Sequence, residues 1–277
     1  MAGAEDILSG ATPSNPAANY VRIYHTTAGT GYGTPIALQA VDSSGNVASL
    51  AHFVVPDYNF LGVQVFTSTG ANTYTPKVGT RAAWVEMVGG GGGGGSAAIT
   101  SANSSGAGGG GSGGYACGWV TGISATVALN VGALGTAGSA AGAGGNGGDS
   151  TWASTTIVAK GGTGGSAGST AGATGRSAGG AGGVAGTAGT NGFTMPGMDG
   201  EDSVALSATQ GYAGAGGASH FSGRSKGTWA AIATIIAGVA GKNYGGGGAG
   251  SANIGTNASA GTGAAGTAGV IRVFEFA

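Results

Sequence analysis

The sequence predicts a mainly β and irregular fold with little helix, in which a small N-terminal β module precedes a glycine-rich domain. Three observations carry this reading. Glycine is unevenly placed: of 67 glycines, 9 precede residue 89 and 58 fall in the 189 residues that follow. The spacing there is in places strict, with Gly180, Gly183, Gly186, Gly189 and Gly192 at every third position, and Gly162, Gly165, Gly168 and Gly263, Gly266, Gly269 repeating the pattern. Apolar, β-branched islands interrupt the glycine: Trp119, Val120, Ile123, Val127, Leu129 and Val131, then Trp152, Ile157 and Val158, then Trp229, Ile232, Ile235 and Ile236.

One glycine in three at period three is the composition of collagen. The chain has only 6 prolines, with Pro196 the only one after Pro76, and the triplet runs are short, so a triple helix has nothing to preset its dihedrals. Flexible linker is the other reading of Gly/Ser-rich sequence. Islands carrying Trp and Ile inside the glycine tract argue instead for a folded domain. A period of three permits the polyproline II conformation, with three residues per turn and no internal hydrogen bonds. Glycine at each inward position then lets backbones approach and bond between helices. Such bonds offset the ordering of glycine, which costs about 1–2 kcal/mol per residue.

The 277 residues suit one or two domains. With 9 basic and 10 acidic residues, and none charged between residues 87 and 148, the chain lacks a patch to neutralise phosphates, so nucleic-acid binding is not expected. The start, Met1 to Asp6, lacks the basic and apolar regions of a secretory signal. The apolar run Trp229 to Ala240 falls short of the ~20 residues of a membrane span, and no membrane insertion is expected. Cys117 is the single cysteine, which rules out an intramolecular disulfide and reads as a buried small hydrophobe.

In order, residues 1–18 read as an extended leader, since Pro13 and Pro16 forbid a helix. Residues 19–60 read as a small β module suited to oligomerisation, and the resemblance given below implies that it serves for attachment. Its strands are Tyr20–Tyr24, Pro35–Val41 and Val47–Val55, separated by turns at Gly29–Gly33 and Asp42–Asn46. A sheet this small is marginal alone and favours an oligomeric partner. Residues 61–277 form the glycine-rich domain. Strands are expected at Val65–Thr67, Tyr74–Val78, Arg81–Val88, Gly113–Val120, Ala125–Gly132, Gly147–Trp152, Ile157–Gly162 and Gly269–Phe276.

Two resemblances follow from these segments. The stretch Asn15-Pro-Ala-Ala-Asn-Tyr-Val-Arg-Ile-Tyr24, with Val41-Asp-Ser-Ser-Gly-Asn-Val-Ala-Ser-Leu50, resembles the short N-terminal module of many bacteriophage tail fibres. The order from Val65 to Phe276 resembles the glycine-rich domain of phage tail fibre proteins and receptor-binding tips. In those proteins a strand enters a glycine tract, Gly-Tyr-Ala and Val-x-Val-Gly strands follow, and an apolar C-terminal strand closes the sheet. Residues 163–262 align by composition alone. The resemblance implies packed polyglycine II-type helices whose intervening loops bind a host receptor. It also implies a homotrimer.

Chemical motifs are sparse. Gly110–Gly114 and Gly164–Gly168 both satisfy G-x-S-x-G, but neither sits at a strand-to-helix elbow, and no enzyme activity or cofactor is expected. Asp199-Gly-Glu-Asp202 offers too few oxygen ligands at regular offsets for a calcium loop and reads as a solvated turn, with no metal expected. Recognition residues concentrate between Phe193 and Tyr244. Phe193, Met195, Asp199, Tyr212, His220, Phe221, Arg224, Lys226 and Tyr244 are the candidate receptor-binding residues, since aromatics and Arg dominate binding hot spots. Trp229, Ile232, Ile235 and Ile236 read as a core plug beneath them.

The expectation is a virion protein, made in the host cytoplasm without a signal peptide. It would bind a glycan, pilus or outer-membrane protein and contact other tail or baseplate proteins. A structural baseplate or fibre spacer is the alternative. An ice-binding protein is a further one, disfavoured by irregular Thr spacing.

Overall fold

Seven consecutive glycines, Gly89 to Gly95, form the axis of the larger part of the molecule. In the computed structural model the described residues are 59–169, 175–231, 234–257 and 259–277, preceded by three strands. The chain divides into two units, Met1–Phe60 with Ala277, and Leu61–Phe276. In the first, β1 (Arg22–Thr27), β2 (Ile36–Val41) and β3 (Val47–Phe53) form an antiparallel meander. Arg22 faces Val41 across one pair and Val47 faces Val41 across the other. The leader 1–18 lies outside the described residues.

The second unit is built on a backbone lattice. Along 89–96, each of three successive residues addresses a different neighbour. The amides of Gly89, Gly92 and Gly95 donate to the carbonyls of Gly114, Gly111 and Gly108; Gly90, Gly93 and Ser96 donate to Gly148, Gly145 and Gly142; Gly91 and Gly94 donate to Thr267 and Ala264, all at 2.8–3.0 Å. The falling numbers make these three neighbours antiparallel. Three parallel neighbours donate back: Gly135 and Gly138 to Gly91 and Gly94, Gly162 and Gly165 to Gly90 and Gly93, and Gly248 and Ser251 to Gly92 and Gly95. One segment is thus enclosed by six, with three residues per turn, the polyglycine II arrangement.

The next segment, 107–114, is enclosed in the same way. It donates to 245–251, 160–166 and 198–201, and accepts from 89–95, 180–183 and 214–217. Glycine is required here for close approach. A Cβ placed on Gly89, Gly92 or Gly95 falls 2.0–2.3 Å from the carbonyl oxygens of Lys160, Thr163 and Ser166, and none of these glycines has a positive φ. Outward positions carry side chains instead: Ala133, Thr136, Thr163, Ser166, Ala178 and Ala181 are exposed. Both G-x-S-x-G segments lie inside this lattice, and Ser112 is fully buried, donating to the Ala218 carbonyl.

Polar side chains finish the lattice edges. Asn146 and Asp149 accept from the amides of Gly164 and Gly161, both at 2.9 Å. Asp199 and Asp202, again three apart, accept from Gly182 at 2.7 Å and Gly179 at 2.8 Å. The Asp199–Asp202 cluster is therefore no free solvated turn. Its carboxylates replace the missing neighbour of an edge helix, satisfying donors that would otherwise be left to water.

Strands continue directly from the lattice segments at both ends. At one end, β4 (Phe60–Phe66), β6 (Ala82–Val88), β8 (Tyr115–Thr121), β13 (Thr194–Met195) and β19 (Val270–Phe276) make a sheet of order β13-β8-β6-β19-β4. Beside it, β5 (Gly70–Tyr74), β9 (Val127–Val131), β10 (Ser150–Trp152) and β11 (Ile157–Ala159) run β11-β10-β9-β5. Between them lies the main core, with Val85, Met87, Ile271 and Val273 meeting Leu129, Val131, Trp152 and Ile157. At the other end, β7 (Thr100–Gly106), β17 (Ile235–Ile236) and β18 (Ala252–Asn257) form one sheet, and β12 (Gly175–Ser177), β14 (Ser203–Ser207), β15 (Gln210–Ala213) and β16 (Thr228–Ala231) another. Their shared core is small: Ala213, Ala230, Ala252 and Ile254, with Ile236 against it.

Three expectations need correction. The strand placed at Tyr74–Val78 ends at Tyr74, because Pro76 has no amide to give a ladder and the chain turns at Val78 and Gly79. β7 and β12–β18 are strands that the sequence left unassigned. The core plug forms only in part: Ile236 packs against the small core, but Trp229 is 61% exposed and Ile235 40%, while Ile232 lies outside the described residues. Cys117 is buried, as read.

Candidate functional site

The nine candidate residues do not form one surface. Segment 107–114 separates them: Gly109 bonds Glu201 near one end, and Tyr115 follows Gly114 at the other. At about 3.1 Å rise per residue this is a separation of roughly 20 Å along the lattice.

The first group gathers on Tyr115, at the end with the five-stranded sheet. Alternation along β8 turns Tyr115 and Cys117 away from the main core, onto the face shared with Trp84, Glu86 and Arg272. Around the Tyr115 ring stand Phe193 at 5.6 Å, His220 at 4.1 Å and Phe221 at 5.9 Å between centroids. Met195, paired opposite Tyr115 on β13, packs against it. The Arg272 guanidinium lies 5.5 Å from the Phe221 centroid, a cation–π contact, and 3.5 Å from Glu86. The Tyr115 hydroxyl donates to Glu86 at 3.2 Å. Burial, then the bond with Cys117 and the charge of Glu86, push the Tyr115 phenol well above its ordinary range. Phe193 is 51% exposed and His220 is exposed, so the cluster has an open side. Tyr244 joins through its backbone, whose carbonyl accepts from Ser219 beside His220, and its ring is exposed.

The second group centres on Glu201. The Tyr212 hydroxyl donates to Glu201 Oε2, and the Arg224 guanidinium meets Oε1 at 2.6 Å. Burial opposes ionisation of Glu201. The Tyr212 bond and the Arg224 charge outweigh it and hold the carboxyl below its usual range. Burial and Glu201 together push the Tyr212 phenol up to about 12. The Tyr212 ring lies 5.5 Å from that of Trp229, directly opposite on β16. Lys226 is exposed nearby in sequence, and Asp199 serves the lattice edge described above.

Sequence reasoning therefore found the periphery of each group and missed its centre. Tyr115, Glu86 and Arg272 were read only as strand residues, Glu201 as part of a solvated turn, and Trp229 as core. The signal for the first three was alternation: even-numbered residues of β6 and β19 carry Trp84, Glu86, Arg272 and Phe274 on a face opposite the core. Among the described residues no group of His, Cys, Asp and Glu is placed to hold a metal.

A family model described as a glycine-rich domain matches residues 67–273. A comparison with curated proteins finds no match. The match begins just after β4, takes in every lattice segment, and stops within β19, the strand that closes the five-stranded sheet. On that span, which is more than half its length, the chain belongs to the glycine-rich domain family.

Proposed function

We propose that this chain is a phage tail fibre or receptor-binding tip. It attaches the virion to a host cell surface through aromatic and charged side chains mounted on the glycine lattice, and it binds without catalysis. The observation that carries the reading is mechanical. Large recognition side chains stand at the two ends of the lattice on backbone that it ties down at specific points, with Cys117 donating to the Phe193 carbonyl, Gly109 to the Glu201 carbonyl, and Tyr212 paired with Trp229 on adjacent strands, which reduces the ordering that opposes binding. Phe193, Met198, Trp229 and Tyr244 are all 40% or more exposed, and aromatics of this kind dominate binding hot spots. The resemblance to tail fibres supports the same reading and adds a trimer.

The spacer reading rests on the lattice alone and predicts no cell attachment. Labelled intact chain applied to a panel of bacterial strains is expected to bind a subset saturably and to compete with unlabelled protein. Light scattering is expected to give three times the 25.5 kDa chain mass. Attachment to no strain by a folded sample would favour the spacer, and a monomeric mass would remove the trimer.

A further inference from the structure

Across the sheet β12-β14-β15-β16, Arg176, Val204, Tyr212 and Trp229 stand directly opposite one another in register. Cross-strand partners share a face, and strands lie about 4.8 Å apart, so the four side chains form a strip roughly 15 Å long. The inner face of the same sheet, with Ala205, Gly211, Ala213 and Ala230, is buried. The strip faces outward: Trp229 is 61% exposed and the Arg176 side chain 76%.

We infer that this strip is a saccharide-binding site, with Trp229 as the stacking platform and Glu201, Arg224, Asp202 and Arg176 as hydroxyl partners. The inference rests on the reading that the chain binds a cell surface, and it names the ligand class. The negative face of an indole ring attracts the weakly positive C–H face of a pyranose, and Trp229 sits at the end of the strip. The polar groups come as two ion pairs, Arg224 with Glu201 and Arg176 with Asp202. A sugar hydroxyl is donor and acceptor at once, so it joins a carboxylate–guanidinium pair without breaking it. A protein partner is a poorer fit, because interface cores are depleted of charge and here charged pairs flank the aromatics.

The site is also held in place before any ligand arrives. Glu201 is fixed by its own backbone, its carbonyl accepting from Gly109 at 3.0 Å and its amide donating to Ala215 at 2.7 Å. Asp202 is fixed by Gly179, and the Tyr212 hydroxyl by Glu201. The strip stands at the lattice end opposite β4, through which the chain enters this unit.

The test uses intact chain on a strain that it binds, with the cells treated by periodate, which cleaves vicinal diols, or by proteinase K. Periodate is expected to abolish attachment and proteinase K to leave it. Polysaccharide released from that strain's lipopolysaccharide or capsule is expected to compete, and the arm that competes identifies the source. Trp229→Ala is expected to lower attachment about 30-fold or more with an unchanged melting temperature, because the side chain is exposed. Trp229→Tyr is expected to retain part of it. Protease-sensitive, periodate-resistant attachment would replace the saccharide with a protein receptor. Periodate-sensitive attachment that survives Trp229→Ala would move the site away from the strip, toward the Tyr115 cluster. Either result overturns the inference while leaving cell attachment standing. Attachment to no strain removes the functional reading instead; lipopolysaccharide and capsular polysaccharides released from the panel strains are then titrated directly against the chain, and lack of binding removes the strip as well.

Discussion

Gly93→Ala is expected to prevent the glycine-rich unit from folding. The residue lies in the central segment of the lattice, donating to Gly145 and accepting from Gly165, both at 2.9 Å. An added methyl falls 1.9 Å from the Thr136 carbonyl oxygen and 2.6 Å from its carbon. Those atoms are backbone, held by their own bonds to the segment 142–148, so no rotamer change makes room. Ordinary overpacking costs about 1–3 kcal/mol because side chains give way. Here whole segments must separate and lose hydrogen bonds, so the loss should exceed the 4–5 kcal/mol that marks an exceptional substitution. The change acts against the usual trend, in which Gly→Ala stabilises by about 0.4–1 kcal/mol through the unfolded chain. Gly223 supplies the control: nothing lies within 4 Å of an added Cβ and its φ is not positive. Gly223→Ala should therefore match or slightly exceed the parent in a thermal melt. A Gly93→Ala protein melting within a few degrees of the parent would contradict the tight packing of the lattice.

That lattice was legible in the sequence only as a permission. Period three says which residues can turn inward, but not which segment each one meets. Gly90 bonds to Gly148 and Gly94 to Ala264, pairings set by long connections that leave no local trace. The strands at the first end were readable because they carry alternating large residues, as in Val85, Met87, Ile271 and Val273 against Trp84, Glu86, Arg272 and Phe274. β7, Thr-Ser-Ala-Asn-Ser-Ser-Gly, carries none; its pairing with β18 supplies the order that its composition withholds. The same gap misplaced Trp229. An apolar run beside Ile235 and Ile236 looks like core, yet the inward face of β16 is filled by Ala230, and the indole is turned out. The acid pair Asp199 and Asp202 did have a readable signal. Its three-residue offset matches the glycine period, as does the offset of Asn146 and Asp149.

Glu275→Ala is expected to destabilise the glycine-rich unit by several kcal/mol while leaving the lattice segments unchanged in sequence and spacing. Glu275 sits on β19 with its side chain turned inward and fully buried. Its Oε1 accepts from the Tyr74 hydroxyl and the Lys77 amide, both at 2.9 Å, and from Gln64 at 3.1 Å. Its Oε2 faces the Lys77 ammonium at 3.7 Å. One carboxylate thereby ties β4, β5 and the turn after it to the strand that closes the sheet. Truncation leaves the buried Tyr74 phenol without an acceptor, at about 1–3 kcal/mol, and takes the acceptor from the part-buried Lys77 amide as well. The Lys77 side chain is 47% exposed and keeps the Leu61 carbonyl, so its lost ion pair adds little, and the loss comes from the orphaned donors and the cavity. Glu275→Gln keeps the acceptor and should lose less. The decisive comparison is Glu275→Leu with and without Tyr74→Phe. If the orphaned phenol is a main penalty, the double variant regains stability over Glu275→Leu alone, in urea unfolding followed by circular dichroism. Burial, reinforced by Glu275, raises the Tyr74 pKa above its ordinary value. A raised folded pKa gives a contribution that is complete below the unfolded value of about 10 and declines as pH rises beyond it. The parent should accordingly lose stability relative to Tyr74→Phe as pH climbs past about 10. A Glu275→Ala loss under about 1 kcal/mol would show that the tie is not what closes the sheet.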